Sequence, residues 1–211
     1  MQIIVLADAL QRTELLNNDS PNTGVTWVND MEEFLNYRDA DAFIDLEFIN
    51  TPERNLFLAQ LLPKPVIINC VTDTLPETNV SFIRINAWTS FLSSYLVEAS
   101  CTNEEAKQKA EKVFSFFNKK IEWLPDQPGF ITARVVSMII NEAFIALEEG
   151  VSAKEEIDTA MKLGTAYPYG PFEWAEKIGV QNIVLLLKKL SGSRSRYTPS
   201  ELLVQETDKP I

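Results

Sequence analysis

One break, Pro125-Asp126-Gln127-Pro128-Gly129, divides this chain into two stretches of different periodicity. Its prolines can neither continue a helix nor donate to a strand ladder, so neither pattern crosses it. Before the break, short apolar runs alternate with helical patterns, which is how a sequence specifies βαβ units around a mostly parallel sheet. Strands are expected at 3–6, 25–28, 42–46, 66–69, 82–85, 95–99 and 120–123, with helices near 9–16, 29–36, 52–61 and 104–118.

After the break everything reads as helix. From 130 to 149 apolar residues occupy nearly every helical face, among them Phe130, Ile131, Val135, Met138, Ile139 and Phe144. A helix apolar all round has to be covered all round. Gly150 is read as its end, Ser152-Ala153-Lys154-Glu155 as a capping box for the next helix, and Gly164 as that helix's stop. Gly170-Pro171 opens a third helix with proline in its first turn and Gly179 behind it. A last helix at 181–190 precedes a polar connector and a partly mobile tail. The expected organisation is a sheet domain over 1–125, a helical domain over 128–200 and a tail over 201–211.

Charge and residue usage exclude several functions. The net charge is −11, and the first hundred residues carry 14 acidic and 5 basic side chains. Counterion release from phosphates needs clustered Lys and Arg, so no nucleic-acid partner is expected. The nearest basic clusters, Lys107 with Lys109 and Lys119 with Lys120, read as solvated helix surface. No apolar run approaches the ~20 residues that span a bilayer, and Met1 leads into an apolar strand without a basic leader, so the expectation is a cytoplasmic protein with no membrane contact. Cys70 and Cys101 form no C-x-x-C pair and there is no histidine, so no metal site is expected. Cys70 is read as a buried, inert thiol, and the tryptophans and Tyr167, Tyr169 and Tyr197 mostly as core.

Four strings carry a resemblance: Pro128-Gly129-Phe130, Ser137-Met138-Ile139-Ile140-Asn141-Glu142-Ala143, Asp158-Thr159-Ala160-Met161-Lys162-Leu163-Gly164, and Tyr167-Pro168-Tyr169-Gly170-Pro171-Phe172-Glu173-Trp174. Together they resemble the C-terminal domain of the 3-hydroxyacyl-CoA dehydrogenase family. The resemblance implies a shortened Rossmann-like, mostly parallel sheet domain followed by an all-α domain like the C-terminal one of 6-phosphogluconate dehydrogenase. It also implies NAD as cofactor, acyl-CoA as a possible ligand and a homodimer formed through the helical domains.

The N-terminal stretch departs from that family. Where its members carry G-x-G-x-x-G after the first strand, this chain reads Ala7-Asp8-Ala9-Leu10-Gln11-Arg12. Those glycines let the pyrophosphate approach backbone N–H groups. Asp8 adds a charge that costs about 4 kcal/mol at ~4 Å from a phosphate in an effective dielectric of about 20. NAD is therefore not expected to bind well. A weak alternative gives Arg12 to the phosphates and Asp30 to the ribose. In the family a histidine base is oriented by a glutamate twelve residues later in Leu-Val-Glu. Here Leu96-Val97-Glu98 is kept, and the histidine position holds Asn86, which accepts no proton near neutral pH. Ala133 stands where the family's Pro-Gly-Phe motif leads to asparagine, and the family serine maps onto 69–72, where Thr72 offers a hydroxyl.

These departures lead to the expectation of an impaired or altered member that still dimerises and binds an acyl-CoA or a protein partner at the interdomain cleft. The alternative is an active NAD-dependent 3-hydroxyacyl-CoA oxidoreductase of fatty-acid metabolism, with Glu98 as an unusual base.

Overall fold

A computed structural model describes residues 1–16 and 23–208. The chain forms two compact units, Met1–Phe130 and Ile131–Ile211.

The first unit is a seven-stranded sheet: β1 (Ile3–Leu6), β2 (Val25–Val28), β3 (Ala42–Asp45), β4 (Val66–Asn69), β5 (Ile83–Ile85), β6 (Leu96–Ser100) and β7 (Lys120–Trp123). Its spatial order is β2-β1-β3-β4-β5-β6-β7. All neighbours pair in parallel except β5 and β6, which are antiparallel. Strands β1 and β3 are apolar at nearly every position because helices cover both faces, as parallel sheets require. Ile3, Val5, Ile44 and Ile67 pack on one side with Phe114 and Phe117. Ile4, Leu6, Phe43 and Ile68 pack on the other with Phe34 and Leu58.

The helices of this unit are α1 (Ala9–Leu16), α2 (Pro52–Ala59), α3 (Leu75–Thr78) and α4 (Glu104–Phe116). Asn103 caps α4 by accepting from the Ala106 N–H at 2.9 Å. Two details differ from the sequence expectation. The segment expected as a helix at 29–36 is a 3-10 helix, Glu32–Tyr37, entered through an Asp30 side chain that accepts from the Glu33 N–H. The one-turn α3 was not anticipated, although Thr74-x-x-Glu77 spells its capping box, with Glu77 accepting from the Thr74 N–H at 2.7 Å.

The second unit is all helical: α5 (Thr132–Glu148), α6 (Lys154–Thr165), α7 (Pro171–Ile178), α8 (Val180–Ser191) and α9 (Glu201–Glu206). Helix α5 is central and packs against α7, α8 and α9. Three expectations are corrected here. Helix α6 runs through Gly164 and stops at Ala166, which takes the left-handed conformation at φ 56°. Its entry cap lies one residue later than expected, with Glu156 reaching back to Ser152 Oγ and the Ala153 N–H. The segment expected as a tail forms α9, whose Leu203 is fully buried. Among the described residues no helix is long and apolar enough to cross a membrane.

Candidate functional site

The sheet register explains why positions 86 and 98 belong together. Strands β5 and β6 pair antiparallel with Ile85 opposite Ala99, so the next residue outward, Asn86, faces Glu98. The Asn86 N–H donates to the Glu98 carbonyl at 3.0 Å, and the Asn86 Nδ2 donates to Glu98 Oε2 at 3.1 Å. Both residues are buried. Asn86 Oδ1 accepts from the Trp88 N–H at 3.4 Å. The pair is thus an amide donating to a carboxylate, and the amide has no lone pair basic enough to take a proton near neutral pH.

The C-terminal ends of β1 and β3 form the switch point where open α/β sheets bind their ligands. Here that crevice is bridged by protein. Gln11 Nε2 donates to the Leu46 carbonyl at 3.0 Å, and Asn69 Nδ2 donates to the same oxygen at 3.2 Å. Asn69 Oδ1 in turn accepts from the Ala87 N–H at 3.1 Å, tying the crevice to the loop after Asn86.

At the start of α1, where dinucleotide-binding folds hold a pyrophosphate on backbone N–H groups, two N–H groups are taken up by side chains. Asp8 Oδ1 accepts from the Gln11 N–H at 2.8 Å, while Gln11 Oε1 accepts from the Asp8 N–H at 3.0 Å. This reciprocal cap places a carboxylate where a phosphate would sit. The spacing Asp8-x-x-Gln11 is a cap signature that the sequence reading passed over. Ala7 is buried, so its methyl group already fills space that a glycine would leave open.

Arg12 is committed elsewhere: its Nε donates to the Ala7 carbonyl at 2.9 Å and one terminal nitrogen to the Val28 carbonyl at 3.3 Å. Its guanidinium carbon lies 5.2 Å from the Trp27 ring centroid. Asp30 is exposed and caps the Glu32–Tyr37 turn. The residues present therefore do not fit a dinucleotide bound in the manner of the Rossmann fold.

Next to this crevice lies an ion pair, with its acid buried and its base half-buried, that sequence reading missed. Asp45, at the end of β3, receives a bidentate contact from Arg54, at 2.8 Å from Nε and 2.7 Å from a terminal nitrogen. Burial pushes the Asp45 carboxyl above its ordinary range, with Arg54 acting against it. Thr72 is half-buried in the loop after β4, and Ala133 is fully buried in the first turn of α5. Among the described residues no group of three or more His, Cys, Asp or Glu is placed to hold a metal.

In the helical unit, the most recognisable strings prove to be architecture. Asn141 on α5 clamps the return of the chain: its Nδ2 donates to the Thr198 carbonyl at 3.1 Å and its Oδ1 accepts from the Ser200 N–H at 2.8 Å. Asp158 on α6 caps α7, accepting from the Phe172 N–H at 2.9 Å and the Glu173 N–H at 3.3 Å. Glu173 accepts from the Gly170 N–H at 2.9 Å and pairs with Lys162, which holds its carboxyl below the usual range. One face of α5 stays uncovered, with Val135 51% exposed. It forms a wall of an open groove of about 740 Å³ with Met138, Ile139 and Met161, flanked by Arg134 and Arg196.

Comparison with known proteins agrees with this division. The family model for the 3-hydroxyacyl-CoA dehydrogenase C-terminal domain matches residues 129–210. A 3-hydroxyadipyl-CoA dehydrogenase of Escherichia coli is 40% identical over 112 residues, covering 52% of this chain and 24% of the relative. A 3-hydroxybutyryl-CoA dehydrogenase of Bradyrhizobium diazoefficiens is 34% identical over 112 residues, covering 52% of this chain and 38% of the relative. The chain thus spans well under half the length of these two relatives. The solved structure of FadB2 from M. tuberculosis superposes with a TM-score of 0.72 at 17% identity, covering 87% of this chain and 70% of that one, and so shares the fold. The helical unit thus matches the C-terminal domain of the 3-hydroxyacyl-CoA dehydrogenase family, and the chain is similar to curated dehydrogenases acting on 3-hydroxyacyl-CoA substrates.

Proposed function

We propose that this chain is a member of the family that does not perform NAD-dependent hydride transfer by the family's route. In this reading it keeps self-association through the helical unit and binds an acyl-CoA or a protein partner. The observation that carries the proposal is the Asn86–Glu98 pair, in which the carboxylate accepts from an amide. A positioned base contributes roughly 10²–10⁴ in rate, and the chain has no histidine to supply one. Support comes also from the crevice between β1 and β3, where Gln11 and Asp8 stand in for a pyrophosphate.

The helical unit is read as a domain of the 6-phosphogluconate dehydrogenase C-terminal type, and the self-association as a homodimer. The uncovered face of α5 supports this, because apolar surface of this kind on a central helix favours a second copy. The test is NADH oxidation with acetoacetyl-CoA, followed at 340 nm. No turnover above the uncatalysed background is expected. Turnover at a rate ordinary for the family would overturn the proposal, and loss of that turnover in Glu98→Gln would identify Glu98 as an unusual base.

A further inference from the structure

The sheet unit is strongly acidic, yet three of its six lysines, Lys64, Lys109 and Lys112, line one open cavity of about 600 Å³. The cavity lies where β1, β3 and β4 begin, at the opposite end of the strands from Asn86 and Glu98. Pro63, Pro65 and Val113 give it an apolar wall.

Its cations are poorly neutralised. Among the described residues Lys112 makes no ion pair. Among the described residues Lys64 makes no ion pair, and its Nζ donates to the Asp39 carbonyl at 3.5 Å. Lys109 pairs with Glu105 at 2.7 Å, but both side chains are exposed and such a pair is weak. The acid in the lining, Asp41, accepts from the Gln2 N–H at 2.7 Å and lies 4.0 Å from the Met1 amino group. Gathering like charges around one cavity costs free energy that a bound anion offsets. Lysine serves as a point-charge ligand for phosphate, and a cavity of this size accommodates a small organic molecule.

We propose that this cavity binds an organic phosphate with two or more negative charges and nucleotide dimensions, the lysines taking the phosphates and the Pro63–Pro65–Val113 wall the organic part. The proposal is independent of the family reading. It is tested by isothermal titration of the full chain with ATP and with inorganic triphosphate, at low and moderate salt. Saturable one-to-one binding is expected, tighter for ATP than for triphosphate and weakened by salt. Each lysine removed should weaken it about tenfold, so Lys64→Gln with Lys112→Gln should lose about a hundredfold. Lys112 is exposed and Lys64 half-buried, and an unchanged circular-dichroism melt of the double variant would show that its fold is intact. The proposal is overturned by absence of saturable ATP binding up to millimolar concentration. It also fails if the double variant keeps the parent affinity, or if triphosphate binds as tightly as ATP.

Discussion

Replacing Gly170 by alanine tests whether the family's most recognisable string is written for packing. The backbone at Gly170, φ −73° and ψ 164°, accepts any residue, so no backbone strain is involved. The added Cβ would stand 2.3 Å from Cγ of Asp158, closer than any carbon contact allows. Asp158 is buried and must move, giving up its bonds to the Phe172 and Glu173 N–H groups at the start of α7. A hydrogen bond to a charged group contributes about 1.5–3 kcal/mol, so two of them, partly recovered by relaxation, put the cost of Gly170→Ala at about 3 kcal/mol. Asp158→Ala should cost a similar amount, and the double variant no more than either single, because the clash and the cap involve the same carboxylate. Urea unfolding followed by circular dichroism measures the three values, and hydrogen exchange at the Phe172 and Glu173 amides localises the effect to α7. A cost for Gly170→Ala below about 1 kcal/mol, or a double variant equal to the sum of the singles, would refute the reasoning.

Three further outcomes are expected. Lys119 is buried, with Nζ donating to the carbonyls of Leu92 and Ser94, and burial depresses its pKa from 10.5 to about 8 despite the nearby Glu14. Because the unfolded chain then holds more protons than the folded one between those two values, stability relative to Lys119→Met should rise as pH climbs from about 8 to 10.5 and be flat below; a pH-independent difference in melting temperature would contradict this. Light scattering should give twice the 23.9 kDa chain mass for the parent and the single mass for Val135→Glu with Ile139→Glu, and a monomeric parent would remove the dimer. Asn86→His restores an imidazole opposite Glu98 but leaves the β1–β3 crevice bridged, so NADH oxidation with acetoacetyl-CoA should stay at background; turnover would show that the crevice admits the cofactor.

The two periodicities flanking Pro125–Gly129 were readable because each arises from burial on a fixed repeat. Strands that are apolar at successive positions, such as Ile3–Leu6, can only be buried on both faces, and they lie in the sheet where expected. The vertical partners 86 and 98 were legible through a family spacing, which the antiparallel register of β5 and β6 turns into a contact. What escaped notice was set by side chains that satisfy backbone groups. Gln11 lies in the helix expected at 9–16, yet its amide reaches from α1 to Leu46 just past β3; Asn69 ends the strand expected at 66–69, yet it joins Leu46 to the loop after Asn86. The Asp45–Arg54 pair depends on how β3 feeds α2, which no short-range pattern reports. Gly164 misled because glycine commonly ends helices, whereas this chain leaves the helix at Ala166, two residues on, in a left-handed conformation that glycine would adopt at lower cost.

In the proposed reading, protein groups occupy the place of the dinucleotide's phosphates. Titration of the Lys64→Gln, Lys112→Gln double variant with NADH measures this most directly, because that variant separates the β1–β3 crevice from the lysine-lined cavity. No saturable heat is expected up to millimolar NADH. A micromolar dissociation constant, abolished by blocking the crevice with Ala9→Trp, would contradict the account.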